Sequence, residues 1–460
     1  MNKSLFISLI VLASILVCAA IGLTIAVFTE DNVPSANDDN QPTIELPEDP
    51  NIPADPNMPS DPSIPDTPSE PDTPDEPSKP VEPDTPTEPD VPSDPGITEV
   101  PDVPVKPVYG SHEEKAKAIL SEMTLQEKIY QLFIVTQDQL TGKGPVTLSG
   151  ENSRKAILAK PVGGLIYFEP NLVSRNQTIF MLDNIQKYSK LGLFTAVDEE
   201  GGLTSRLAFN PNIGNTQVPN MQEIGETKDS TQAYSAGQTI GSEIAKLGFN
   251  LNFAPVADVF TNPNNQALAL RSFGNDPQLV ASMVSACVKG MRSGGVLCTL
   301  KHFPGHGSTA EDSHNGSAVI SKTMEELQAC DLIPFKAGIE AGAQFVMVGH
   351  LSIPAVIGNS DPATLSSEIV TDLLKNKLDF KGIIITDSMQ MKAITDHYSS
   401  SEAAVLAILA GNDMILMPEN LTEAVEGIEK AIADGVLTED RINESVLKIL
   451  TLKISNKIIK

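Results

Sequence analysis

The chain has 460 residues and a formal net charge of −28, and its acidity is unevenly spread: 21 of its 60 Asp and Glu residues and 22 of its 35 prolines fall between residues 29 and 108. No cluster of Lys and Arg stands anywhere along it, which excludes the electrostatic footprint of a nucleic-acid binder. Residues 109–460 are only mildly acidic, and the stretch is long enough for one large α/β domain.

Residues 5–28 carry no charge and exceed the roughly 20 residues that a helix needs to cross a bilayer. Lys3 precedes the run, and Glu30 and Asp31 come after it, so the positive flank predicts that this end stays inside and the rest is exported. Three readings stay open: an uncleaved anchor, a cleaved signal peptide, and a lipoprotein signal acylated at Cys18, where Val17 occupies a position that usually holds a small residue. All three put the protein outside the cytoplasm, at the cell surface or in the wall. The expected division is therefore 1–28 as signal or anchor, 29–108 as acidic linker and 109–460 as catalytic domain.

From Pro47 to Pro95 a proline falls at every third position, with Asp, Glu, Ser and Thr between. Polyproline II has three residues per turn, so the rings would form one ridge while the like charges resist compaction. At about 3.1 Å per residue, such a segment reaches on the order of 150 Å. It reads as a spacer holding a catalytic head away from the membrane, or as a solvated tail with no length requirement. Collagen is excluded because the repeat lacks glycine.

Helical punctuation opens the domain: Ser111 with Glu114, and Thr124 with Glu127, have capping-box spacing. Short apolar, β-branched runs then recur at 131–135, 164–168, 193–197, 251–256, 296–300, 345–348, 382–386 and 414–417. Segments of helical length and pattern separate them, such as 401–410, which ends at Gly411. Continuous hydrophobic strands alternating with helices read as a parallel sheet, and eight repeats predict a closed (β/α)8 TIM barrel, with a doubly wound open sheet as the alternative. Asp198, Asp258, Lys301 with His302, His350 and Asp387 each come directly after one of these runs. A barrel gathers such positions at one mouth, whereas residues serving only stability would be scattered over both ends of the strands.

Cys287, Cys298 and Cys330 cannot all pair within one chain and match no zinc spacing, so buried free thiols are expected, with a Cys287–Cys298 bridge as the lesser reading.

Asp387, in Thr386-Asp387-Ser388, is a strand-end carboxylate that can attack a carbon turning oxocarbenium-like, although strand-end carboxylates also cap helices. The segment from Lys301 to Thr309 opens a glycine-rich loop that continues through Asp312-Ser313-His314-Asn315-Gly316. Two positions apart, Asp312 can hold one ring nitrogen of His314 and set its tautomer, leaving the other nitrogen to give a proton to a leaving oxygen and take one from water. A metal site at His302, His306 and His314 competes, but the spacing is irregular. Asp198-Glu199-Glu200-Gly201-Gly202 with Arg206 offers a carboxylate and a guanidinium suited to sugar hydroxyls, or an Asp198–Arg206 salt bridge bracing the loop. Arg271 reads likewise as ligand clamp or surface ion pair. There is no tryptophan to stack on a sugar, so Tyr167, Phe168 and Phe273 are the available aromatic planes.

Asp-Glu-Glu-Gly-Gly with Arg206, Arg271-Ser272-Phe273, Lys301-His302-Phe303-Pro304-Gly305-His306-Gly307, Asp312-Ser313-His314 and Thr386-Asp387 stand in the order and spacing of glycoside hydrolase family 3. The Asp-Ser-His element resembles its β-N-acetylglucosaminidase, NagZ-like branch, and the likeness runs from about Ser111 to about Met417. The resemblance implies a retaining double displacement on a TIM barrel without metal or cofactor. It implies Asp387 as nucleophile, His314 as acid/base, Asp312 as its partner, and Asp198, Arg206, Arg271, Lys301 and His302 as sugar-binding residues. A second domain that supplies an acid/base glutamate in the β-glucosidase branch is not expected, which agrees with the histidine-loop branch. The expected substrates are β-GlcNAc glycans, from peptidoglycan turnover or chitooligosaccharides, and the expected state is a monomer held at the membrane by its N-terminal segment. A GlcNAc-specific phosphorylase and a non-catalytic wall-binding protein are the alternatives.

Overall fold

In the computed structural model, residues 111–309 and 318–459 are described. The apolar run at 5–28, Cys18, the proline repeat and the Asp312/His314 pair lie outside them.

Eight strands close into one parallel barrel: β1 Phe133–Thr136, β2 Gly164–Ile166, β3 Phe194–Val197, β4 Leu251–Asn252, β5 Leu297–Phe303, β6 Phe345–Val348, β7 Ile383–Ser388 and β8 Met414–Leu416. Each pairs with its neighbours in sequence, and Phe133 opposite Ile415 joins β1 to β8. The barrel thus replaces the open-sheet alternative, and every predicted run contributes one strand. Gln131 falls instead in the preceding helix, Leu125–Gln131, where the predicted Thr124/Glu127 capping box forms. Ser111 opens the helix Ser111–Glu122. Gly411, in the left-handed region at φ 119°, ends the helix Ser400–Ala410 as expected.

The strands are short, apolar and buried on both faces, because the barrel interior covers one face and the helices cover the other. Inside, Phe194 and Phe345 meet edge to face at 5.3 Å. Outside, the helices Ser230–Leu247 and Pro277–Ser293 press so close that a Cβ at Gly290 would sit 2.1 Å from the Tyr234 carbonyl oxygen.

Two departures from regular pairing shape the barrel's C-terminal end. The register shifts between Leu300 and Phe303 in β5, against β6, and between Ile385 and Ser388 in β7, against β8. Bulges of this kind re-aim side chains next to sites, and these two span Lys301 with His302 and Thr386 with Asp387. The predicted run 251–256 is cut to two strand residues. Pro255 has no N–H for the ladder, and beyond it the backbone pairs with β5 through the bridge of Val256 with Lys301 and the bond from Ala257 N to Lys301 O at 2.7 Å.

Cys287, Cys298 and Cys330 are free thiols, and burial pushes the Cys298 thiol up to about 12. At the opposite end of the barrel from the bulges, Asp413 is fully buried, accepts from Ile384 N and Ser445 Oγ, and faces Lys448 at 3.3 Å. Lys453 is also fully buried: Nζ donates to Gln131 Oε1 and Gly192 O, each at 2.9 Å, and lies 5.1 Å over the Phe194 ring. Burial lowers its pKa from 10.5 to about 7. Below about pH 7 both folded and unfolded chains hold that proton, and the folded state carries the whole cost of the buried charge. Between 7 and 10.5 only the unfolded chain holds it, so stability rises with pH. The change in stability caused by Lys453→Met is therefore expected to be more favourable at pH 6 than at pH 9.5, by about 1 kcal/mol or more. Thermal melts at the two pH values measure the difference; a pH-independent one would refute the assignment.

Candidate active site

The residues at the C-terminal ends of β3, β4 and β5 make a continuous polar network, and the end of β7 brings Asp387 beside it. After β3 the chain turns into a hairpin, Glu199–Gly201 against Thr204–Ser205, whose tip needs the positive φ of Gly201 and Gly202. Asn252, buried in β4, holds the hairpin's first residue by accepting from Glu199 N at 3.0 Å and donating to Glu199 O at 2.8 Å.

Glu200 is the hub. Its carboxylate accepts two parallel bonds from Arg271, Nε and Nη2 each at 2.8 Å, and meets Lys301 Nζ at 2.6 Å. Lys301 also donates to Asp198 Oδ1 at 2.8 Å. Burial alone would raise the Glu200 pKa, but Arg271 and Lys301 hold it well below the usual carboxylate range. Burial would lower Lys301, yet Asp198 and Glu200 carry it above its ordinary value. The four groups therefore form a balanced set of two anions and two cations. Its buried members anchor the set, while Asp198 and Arg271, with side chains 17% and 21% exposed, keep polar edges toward the mouth.

A second layer runs through Asp258, which is fully buried beyond β4. It accepts from His302 Nδ1 at 2.7 Å, from His302 N and from His306 N at 2.7 Å. Against a burial that would raise it, His302 and the other donors lower its pKa. With Nδ1–H donating to that carboxylate, His302 presents Nε2 toward Arg271 Nη2 at 3.5 Å. A cis peptide joins Lys301 to His302. His306 lies edge-on to His302, its Nδ1 2.9 Å from Thr309 Oγ1, and Asn265 Nδ2 donates to its carbonyl. Burial and then His302 lower the His306 pKa, while Asp258 and Asp387 act the other way. Asp387 thus belongs to the same mouth. Its Oδ1 accepts from Ser388 N at 2.7 Å, and its side chain is half-buried.

Of the residues singled out in the sequence, Asp198, Arg271, Lys301 and His302 come together directly, with Asp387 beside them. Arg206 does not join them. The Asp198–Arg206 bridge is replaced by Asp198–Lys301, and Arg206 pairs with Glu169 Oε1 at 2.7 Å while its guanidinium stands 5.9 Å from the Phe168 ring centre. The reason is reach: the hairpin folds Arg206 out over β2's end, and Lys301 already fills the space beside Asp198. Arg271 is no surface ion pair, since its partner Glu200 is almost wholly buried. Tyr167 and Phe273 are core residues, leaving Phe168 as the aromatic plane at the rim. Among the described residues no three His, Cys, Asp or Glu side chains stand together so as to hold a metal ion.

Sequence spacing assigns no specific task to Glu200 or Asn265, places Asp258 only at a strand end, and gives His306 a part only in the metal alternative. The signal for Glu200 was present in the side-by-side acids before Gly-Gly, because successive strand residues face opposite ways and two acids there cannot share one task.

The sequence profile of the glycosyl hydrolase family 3 N-terminal domain matches residues 124–452. The chain belongs to glycosyl hydrolase family 3. This family 3 domain is 33% identical over 325 residues to Beta-hexosaminidase A of Pseudoalteromonas piscicida, covering 64% of this chain and 53% of that protein. It is 36% identical over 277 residues to Beta-hexosaminidase of Stenotrophomonas maltophilia (strain K279a), covering 58% and 80%. The solved family 3 β-N-acetylglucosaminidase of Paenibacillus sp. str. FPU-7 superposes with a TM-score of 0.69 at 36% identity, covering 73% of this chain and 63% of that one. The chain therefore spans about half the length of the Pseudoalteromonas relative and under two thirds of the Paenibacillus protein.

Neutralising the hub would strand the buried Lys301 and the half-buried Arg271. Glu200→Gln is expected to destabilise the domain by about 3–5 kcal/mol at pH 7. The wild-type carboxylate's pKa is depressed by folding, so its contribution is present above the unfolded value and fades as pH falls toward the folded one. Denaturant titrations of both proteins from pH 7 down to 3 should show the gap narrowing only at the acid end, and a gap below about 1 kcal/mol at pH 7 would argue against the hub.

Proposed function

We propose that this family 3 domain is a retaining exo-β-N-acetylglucosaminidase that removes terminal non-reducing β-linked GlcNAc from peptidoglycan fragments or chitooligosaccharides. The observation that carries the reading is the placement of Asp387 at the same mouth as the charge-balanced set Asp198, Lys301, Glu200 and Arg271. Carboxylate and guanidinium edges grip vicinal hydroxyls by paired hydrogen bonds, and a neighbouring carboxylate can attack the anomeric carbon. In this reading Asp387 is the nucleophile; Asp198, Arg271, Lys301 and His302 bind the sugar; Arg206 with Phe168 stands at the rim; and the Asp312/His314 pair moves the proton. The β-hexosaminidase names of two relatives and the β-N-acetylglucosaminidase described for the Paenibacillus structure support the choice of sugar.

The domain is further proposed to act as a monomer outside the cytoplasm, tethered by residues 5–28, with no cofactor. The uncharged run and the proline spacer behind it support that placement. Finding the full chain in the soluble cytosolic fraction would contradict it.

The decisive comparison uses chromogenic β-GlcNAc and β-glucose substrates. Turnover of the first in clear excess is expected, and Asp387→Ala should reduce it by at least about 10³-fold. His314→Ala should cost far less on a substrate with a good leaving group than on chitobiose, since only the poor leaving group needs a proton. Equal losses on both would remove His314 from the acid role. Product identified as GlcNAc in the presence of phosphate supports hydrolysis, whereas GlcNAc 1-phosphate would make the domain a phosphorylase. Binding without turnover would leave only a wall-binding module.

A further inference from the structure

The bulge in β7 raises the question of what fixes Asp387. Regular pairing stops after Ile385 and resumes at Ser388 opposite Leu416, so the backbone at Thr386 and Asp387 is not held by the ladder with β8 in the ordinary way. Three contacts replace it. Leu416 N donates to the buried Thr386 Oγ1 at 3.0 Å, and Met389 N donates to Leu416 O at 2.9 Å. The third comes from a histidine that plays no part in the sugar-binding set: His350, just beyond β6 and 1% exposed, has Nε2 2.9 Å from the Ser388 carbonyl oxygen. That carbonyl can only accept, so Nε2 carries the hydrogen in the neutral ring and in the charged ring alike.

The ring is itself aimed. His350 Nδ1 lies 2.8 Å from Thr364 Oγ1, which is also 2.8 Å from the Gly349 carbonyl oxygen. Thr364 is fully buried, and its own carbonyl accepts from Asn412 Nδ2 at 2.8 Å. A rigid line thus runs from Asn412 through Thr364 and His350 to Ser388. Ser388 in turn donates its N–H to Asp387 Oδ1 at 2.7 Å. With its carbonyl held by β6's end and its amide bonded to the carboxylate, Ser388 has little freedom to rotate.

We propose that His350 is a positioning residue for Asp387, holding the bulged end of β7 through the Ser388 carbonyl so that the carboxylate is fixed for attack. This rests on Asp387 being the nucleophile. A strand end released from this side-chain donor shifts the carboxylate by a fraction of an ångström to an ångström, and misplacement on that scale costs on the order of 10²-fold in rate while sugar binding, carried by other residues, changes little.

The test compares His350→Phe with His350→Gln on the chromogenic β-GlcNAc substrate, with thermal melts as the folding control and Asp387→Ala alongside. His350→Phe is expected to lower kcat by about 10²-fold with KM within about threefold, and His350→Gln, whose Nε2 can still donate to Ser388 O, to recover at least about tenfold of the loss. Wild-type kcat in a folded His350→Phe protein, or equal kcat losses in the two variants, overturns the proposal. If His350→Phe does not fold, Thr364→Val decides: it removes the hydroxyl that aims the ring, a several-fold kcat loss at unchanged KM upholds the proposal, and unaltered kcat overturns it. Turnover surviving in Asp387→Ala would instead sink the nucleophile assignment and the positioning role with it. An inactive Asp387→Ala beside a fully active His350→Phe would sink the positioning role alone.

Discussion

The site depends on one buried carboxylate with two cations, one buried and one half-buried. Glu200 takes Arg271 from the segment beyond β4 and Lys301 from β5, while its own hairpin extends β3. Three consecutive strand ends are therefore tied at a single point. Removing such charges from water is costly, and Coulombic attraction compensates only when geometry is good and the remaining hydrogen-bonding capacity is used. Both conditions hold here: the Arg271 fork meets both oxygens in parallel, and Lys301 shares its remaining hydrogens with Asp198. The arrangement stabilises the fold less than a packed apolar pair would, but it fixes two donors and an acceptor rigidly at the mouth, which is what recognition of a polyhydroxylated ring demands.

Barrel geometry accounts for how residues 189 positions apart, Asp198 and Asp387, come to the same place. Each parallel strand delivers its C-terminal residue to one rim, and the rim is where ladder bonds run out. The two bulges lie at that rim because unpaired backbone there can be satisfied by side chains: Asp258 serves the amides of His302 and His306, and Thr386 and His350 serve β7 and its neighbour. The N-terminal rim shows the contrasting use of the same chemistry. There the fully buried Asp413 accepts from Ile384 N and faces Lys448, locking strand to helix.

Much of the barrel was legible because its signals are one-dimensional. Each of the eight apolar runs reports a strand buried on both faces, and Gly411 and the Thr124 box report helix ends by local chemistry. The early end of β4 comes from Pro255, a residue visible in the sequence whose effect depends on which neighbour needed its N–H. Pairing was less legible. Asp198 and Arg206 are eight residues apart and looked like partners, yet Lys301, 103 residues away, takes the carboxylate. Side-chain partnership across a barrel is set by strand order and stagger, which no spacing rule encodes. Tyr167 shows the same limit: next to Phe168 in sequence, it points inward and donates to Gln137 Oε1, while Phe168 reaches the rim.

Burial by itself does not decide what an acid at this mouth does; its donors do. Glu199 and Glu200 are adjacent and both buried, but they face opposite ways from the hairpin. Glu200 meets two cations and stays ionised, whereas Glu199 accepts from the amides of Leu207 and Ala208 at 2.8 and 3.0 Å and is pushed up to about 7, burial outweighing those amides and the nearby Arg206. Asp258, equally buried, stays below its ordinary value because His302 and His306 converge on it. The anionic character of the mouth is thus allocated residue by residue: Glu200 and Asp258 are held charged by the cations and donors that converge on them, and Glu199, which faces the backbone amides of its own hairpin, is left free to neutralise. That division keeps the Glu200 hub charged through the neutral range while the loop carrying Arg206 rests on a group that changes charge within it.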